Sequence, residues 1–181
     1  LNLFWARNPV SIVDYFSTMK DLYNNYLADS ANAIMRSSNF YDAVQFCNLL
    51  SVREGLMPVY TLSNIVYNSL WNTVGLDSTQ SEFDVRGPGM LSATVKSNFA
   101  ANGYRLPTVV EIRILGSDTA FATDTTIKEW VWRGDSLLPT VYEHTSGDTV
   151  TPTSVNCGHA FRVIRRSGGL PKLAVFSKDE G

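Results

Sequence analysis

The sequence predicts one α+β domain, and three observations carry that expectation. Apolar residues recur at helical spacing through the first third, a proline followed by a helix cap stands in the middle, and alternating aromatics in the last third read as strand. With 181 residues, 44% of them hydrophobic and 18% charged, the chain is long enough to bury one core.

The first helix is expected from Ser11 to about Asp29. Ile12, Tyr15, Phe16, Met19, Leu22, Tyr23, Tyr26 and Leu27 recur at three and four and paint one face. Ser11 and Asp14 have the spacing of a capping box with Asp in place of Glu, and Pro9 prevents an earlier start. A second helix fits "NFYDAVQFCNLLSVREGL", with Asn39 as N-cap, Asp42 three residues later, a buried stripe of Ala43, Val44, Cys47 and Leu50, and Gly55 as the stop. Both stripes are expected to be core.

"NGYRLPTVVEIRIL", Asn102 to Leu115, holds two opposed signals. Thr108 and Glu111 have capping-box spacing, and Pro107 forces Leu106 to be extended, so a short helix should start at Thr108 and stop at Gly116. The β-branched Val109, Val110, Ile112 and Ile114 favour a strand instead. The cap is expected to win.

Composition excludes several function classes. The formal charge of −2 and pI near 5.6 provide no basic footprint for nucleic acid. No apolar run reaches the roughly 18 residues of a membrane-spanning helix. The chain begins at Leu1 rather than Met, which leaves open a signal, tag or lipid anchor upstream. Cys47 and Cys157 are too few for a disulfide framework, lack zinc-site spacing, and are expected to be buried thiols. His144 and His159 are the only histidines, and nothing frames them into a nucleophile and base. "RGD" at Arg133 to Asp135 is a three-residue match of the kind chance supplies. Arg162, Arg165 and Arg166 are expected to be solvated or salt-bridged.

"GYRLPT" with Glu111 resembles the "GYRLPTEAEW" signature of the formylglycine-generating-enzyme and sulfatase-modifying-factor family, whose fold is a variant of the C-type lectin fold. Tyr41 to Leu62 resembles that family's helix and hairpin entry, "KEWVW" at Lys128 to Trp132 its "WEWVWD", and "AFRVIRR" at Ala160 to Arg166 its closing "GFRVVR" strand. The resemblance implies a C-type lectin fold of the formylglycine-generating-enzyme type over residues 37–181, preceded by a helical extension over residues 1–36. That extension either packs on the domain as a layer or meets another chain.

The departures from the family bear on function. Its oxidases bind copper through a close cysteine pair near the C-terminus, because soft Cu(I) takes thiolate ligands. This chain has only Cys157 there. The family's calcium site is also in doubt, since "GNVWEW" has become "TTIKEW" and Arg133 stands where an Asp is expected, a cation that would repel a metal ion. The resemblance therefore implies a protein with no catalytic residues, no metal and no cofactor; a copper oxidase acting on a peptide cysteine is the alternative, and a calcium-dependent lectin a third reading.

A second branch of the resemblance is to the variable proteins of diversity-generating retroelements, those of Treponema in particular. In these, adenine-directed mutagenesis rewrites a segment that starts around "EWVW" and ends at "GFRV". Here that bracket encloses about residues 132–161. Between Arg133 and His159 the sequence has three Gly, two Pro, many Ser and Thr, and no sustained period. A connection so much longer than about 12–15 residues is usually functional or disordered, and its mixture of aromatic, charged and small polar side chains resembles a paratope. The candidate ligand-binding residues are Trp132, Arg133, Asp135, Ser136, Leu137, Leu138, Tyr142, Glu143, His144, Asn156 and His159. Trp130 and Trp132 alternate on a strand, with Trp130 expected to face the core and Trp132 to lie nearer the ligand. The expected partner is an unknown protein or other macromolecule, not nucleic acid, bound at a cell surface or outside the cell.

Overall fold

The structure is a computed structural model that describes residues 3–6, 8–19, 39–67, 89–116, 129–131, 140–142, 149–150 and 160–167. In chain order the elements are β1 (Leu3–Trp5), α1 (Ile12–Met19), α2 (Phe40–Arg53), β2 (Tyr60–Tyr67), β3 (Met90–Ser97), α3 (Val109–Gly116), β4 (Glu129–Val131), β5 (Thr140–Tyr142), β6 (Thr149–Val150), β7 (Ala160–Phe161) and β8 (Ile164–Arg166). The class is α+β, as the sequence predicts.

Helix α1 begins at the expected cap, with the Asp14 N–H donating to Ser11 Oγ at 3.1 Å. The expected continuation to Asp29 lies outside the described residues. Tyr15, Phe16 and Met19 are buried, so this part of the N-terminal region packs on the domain. The Tyr15 ring stacks on Phe46 of α2 at 5.9 Å, and both stand edge-on to Phe161 of β7, at 6.3 and 5.2 Å. Three rings from three elements thus form the centre of the core. Such contacts add about 0.5–1.5 kcal/mol per pair to the burial of the rings themselves.

Helix α2 is capped at both ends. Asn39 Oδ1 accepts the Asp42 N–H at 2.8 Å. At the other end the Leu56 N–H donates to the Ser51 carbonyl and the Gly55 N–H to that of Val52, a Schellman motif that needs Gly55 at φ 68°. The expected stripe of Ala43, Val44, Cys47 and Leu50 is buried. Asp42 does more than its place in the first turn suggested. Its carboxylate is fully buried and accepts the N–H groups of Gly89 and Met90 at 3.0 and 2.9 Å, while Asn39 Nδ2 donates to the Met90 carbonyl. One helix N-terminus therefore fixes where β3 starts.

Strands β2 and β3 pair antiparallel as a ribbon beside α2. Asn48 attaches the ribbon to the helix, because its side-chain amide pairs with both the N–H and the carbonyl of Tyr60. Two register shifts interrupt the ribbon, and at the first of them Asn64 adopts φ 52°, the left-handed conformation that a β-bulge uses and that Asn tolerates.

The resemblance motif closes the fold. Gly103 lies so close to α2 that a Cβ there would come within 2.3 Å of the Met57 carbonyl and 2.6 Å of Ser51 Oγ. The Gly103 N–H donates to that same carbonyl, and the Tyr104 N–H donates to Ser51 Oγ at 2.7 Å. Arg105 then pairs backbone to backbone with Ile164 of β8 in both directions, at 2.9 Å each. On the opposite edge of β8 lies β1, in register Leu3 with Arg166, Phe4 with Arg165 and Trp5 with Ile164.

Replacing Gly103 with Ala should cost about 1–3 kcal/mol or more, the range for overpacking, here against backbone that cannot recede. Urea denaturation followed by circular dichroism measures it. A cost below about 1 kcal/mol would show that α2 and the motif can separate.

Candidate ligand-binding sheet

The stretch expected to bind ligand is framed by a sheet of order β6-β5-β4-β7. Strands β4 and β7 are parallel neighbours, Glu129 beside Ala160 and Trp130 beside Phe161. The stretch thus begins just after β4 and ends on β7, its parallel neighbour, and contributes β5 and β6 to the same sheet in between. Its end on β7 is firmly held. Ala160 and Phe161 are fully buried, the Phe161 ring sits in the aromatic centre of the core, and its carbonyl accepts the Val10 N–H at 2.9 Å. Val131 is fully buried as well.

Strand β5 pairs antiparallel with β4, and β6 with β5. Tyr142, the one candidate residue within the described part, lies opposite Glu129 on one side and Thr149 on the other. Trp132, Arg133, Asp135, Ser136, Leu137, Leu138, Glu143, His144, Asn156 and His159 lie outside the described residues, as do the RGD triplet and Cys157. Strand direction still separates the candidates. Val131 and Thr140 mark one end of the sheet; Glu129, Tyr142 and Ala160 mark the other. The chain therefore leaves towards Trp132 at one end and towards Glu143 at the opposite end, roughly 7 Å apart along the strands. The sequence treated these residues as one group, and spacing along the chain carries no signal of that separation. Trp130 is described through its backbone, which shares a register row with Phe161 and Val141.

The three arginines after Phe161 divide between environments. Arg162 is buried, which removes the solvated half of the expectation that it is solvated or salt-bridged; it lies between β7 and β8 where the N-terminal segment covers the chain. Arg165 places its guanidinium 4.7 Å from the Phe4 ring centre and 5.6 Å from that of Tyr104, a cation–π stack. Arg166 is exposed.

Among the described residues, Arg105, Glu111, Tyr60 and Tyr104 are occupied in structural contacts. Arg105 forms a two-pronged pair with Glu111, at 2.8 and 2.6 Å, and lies 5.1 Å from the Phe99 ring centre. Glu111 completes the capping box, accepting the Thr108 N–H at 2.7 Å while its own N–H donates to Thr108 Oγ1. The cap prevails over β-propensity as expected, and of the β-branched residues Ile112 is buried while Val110 and Ile114 are exposed. Burial pushes the Glu111 carboxyl up, but the hydrogen bonds and charge of Arg105 and the bonds from Thr108 outweigh it and hold the group below its ordinary value. Burial pushes the Cys47 thiol far up, with Arg105 only partly opposing it, and the same cause raises the Tyr60 phenol, whose oxygen accepts the Leu106 N–H. Partial burial and the Glu54 carboxylate raise the Tyr104 phenol, which donates to Glu54 at 2.7 Å. Among the described residues no three His, Cys, Asp or Glu side chains come together as a metal site.

No protein-family model matches the chain. Over 72 residues it is 35% identical to the chaperone protein LppX of Paenibacillus barcinonensis, a match covering 40% of this chain and 21% of that protein's length. Two solved structures resemble it more broadly. Treponema denticola variable protein 1, a retroelement variable protein with a C-type lectin fold, aligns at TM-score 0.53 and 16% identity over 91% of this chain and 84% of its own. CarF aligns at 0.51 and 16% over 92% and 87%. The chain shares their fold. At 16% identity the likeness is one of fold, and it supports the C-type lectin expectation at that level.

Two outcomes follow from the electrostatics. A Glu111 group lowered in the folded state stabilises fully above its unfolded pKa, and that contribution is lost as pH falls through the folded pKa. Thermal melts of the wild type and Glu111→Gln should therefore differ most near neutral pH and converge in acid; a constant gap would contradict the pairing. Cys47 should resist alkylation in the native protein and react on denaturation, read residue by residue with mass spectrometry. Rapid native labelling of Cys47 would contradict its burial.

Proposed function

We propose that this chain is a non-enzymatic, surface-displayed ligand-binding protein of the diversity-generating-retroelement type, built on the formylglycine-generating-enzyme variant of the C-type lectin fold. What supports the reading most is the pairing of β4 with β7, which puts the two ends of the 132–161 stretch on neighbouring strands of one sheet. A segment whose two ends are held by neighbouring strands can change side chains between them while the frame keeps its own contacts. The likeness to Treponema denticola variable protein 1 over most of both chains is in accord with it.

In this reading Trp132, Arg133, Asp135 to Leu138, Tyr142 to His144, Asn156 and His159 meet the ligand, which is a protein or other macromolecule rather than nucleic acid. The protein works at the cell envelope or surface, held by an attachment upstream of Leu1, and it needs neither metal nor cofactor. The burial of Cys47, the one cysteine besides Cys157, weighs against the copper-oxidase alternative, since a copper site of this kind takes two thiols close together and open to substrate.

Sequencing the 3′ end of the gene from several isolates tests the reading. Replacements should cluster at adenine positions between the codons for Trp132 and Phe161. Changes spread evenly along the gene would overturn it, and so would copper-dependent oxidation of a cysteine peptide that requires Cys157. Chelation should leave ligand binding unchanged.

A further inference from the structure

Residues 3–6 and 8–10 run along residues 161–166 as a strap. Beyond the register of β1 with β8, the Ala6 N–H donates to the Val163 carbonyl at 3.0 Å and the Val10 N–H to that of Phe161 at 2.9 Å. Side chains reinforce the strap near its N-terminal end. The Arg165 guanidinium contacts Phe4 of the strap on one side and Tyr104 of the motif on the other, and the Tyr104 hydroxyl is tied to Glu54 at the end of α2. The far edge of β8 is held by Arg105. The strap therefore lies on a strand that is itself fastened to the core.

Its direction decides how it responds to tension. Because β1 and β8 are antiparallel, Leu3 lies beside Arg166, at the end of β8 farthest from β7. The candidate ligand-binding sheet joins β8 at the other end, through Arg162 and Val163. A pull applied upstream of Leu3 and resisted at β4–β7 draws the two strands past each other along their axes. All the interstrand bonds then share the force. A pull applied between the two chain ends starts instead at the Leu3–Arg166 end and opens the bonds one after another.

We infer that the pairing of β1, Ala6 and Val10 with residues 161–166 is a tension-bearing clasp, oriented so that force between an upstream attachment and a ligand held at the β4–β7 sheet is carried in shear. The inference rests on the display reading for the direction of pull. The geometry itself does not depend on any ligand.

Single-molecule force spectroscopy on the full chain, with Cys157 changed to Ser, compares two attachments. One pulls between the N-terminus and a handle at Thr140, the other between the two termini. The N-terminus-to-Thr140 geometry should rupture its first barrier at roughly two-fold or more the force of the termini geometry, since forced opening follows the unfolding barrier along the pulled direction. Arg165→Ala should lower the first-barrier force in the Thr140 geometry. If that variant does not fold, Phe4→Leu serves the same purpose. Equal forces in both geometries, or a strap variant that changes neither, would overturn the clasp. Because no ligand takes part, a protein that binds nothing but shows the directional difference would sink the display reading alone.

Discussion

The contact between Gly103 and the end of α2 sets the position of everything after it. With room for only a hydrogen at residue 103, the backbone comes near enough for its N–H to reach Met57 and for the next N–H to reach Ser51. Arg105 is then brought against β8 and within reach of Glu111. Its backbone holds the last strand while its side chain holds the first turn of α3. An arginine in this place needs an acidic partner, because burying an unpaired guanidinium would cost several kcal/mol. The same carboxylate also caps the helix, so strand, pair and helix start are interdependent.

A second property of the frame is that its described polar anchors lie outside the 132–161 stretch. Asp42 holds Gly89 and Met90, Asn48 holds Tyr60, Ser51 holds Tyr104, and Arg105 holds Glu111. The stretch contributes chiefly Phe161 to the core, together with Val131 immediately before it and the buried Ala160. Side-chain changes between these points leave those four polar contacts with both partners. The packing demand on the stretch is steric and falls at its ends, where the Phe161 ring fits against Tyr15 and Phe46. A frame whose stability resides elsewhere is what a changeable surface requires.

Local signals were legible from the residues wherever one short segment decided the outcome. The caps at Ser11, Asn39 and Thr108, the stop at Gly55 and the buried stripe of α2 all depend on neighbours within four positions, which spacing reveals. The roles of Asp42 and Arg162 were not legible in that way. Asp42 looks like any acidic residue in a first turn until β3, 47 residues later, supplies two N–H groups to it. Arg162 looks like surface until the chain's own N-terminal segment lies along the strand next to it. The parallel pairing of β4 and β7, and the opposite ends at which the chain leaves for Trp132 and Glu143, likewise depend on topology that no periodicity encodes.

The motif that resembles an enzyme family has its polar groups taken up in closing the fold. In "GYRLPT", Gly103 is needed for its lack of a side chain, the Tyr104 hydroxyl is given to Glu54, and the Arg105 guanidinium to Glu111 and the Leu106 carbonyl. Leu106 and Pro107 are buried, and the Thr108 hydroxyl accepts the Glu111 N–H. A sequence signature made of such groups reports that a fold must close in a particular way. It would be retained equally by an oxidase and by a binding protein, so it cannot separate the two. The discrimination falls to residues that folding does not require, namely a reactive thiol pair in one case and an exchangeable set of surface side chains in the other.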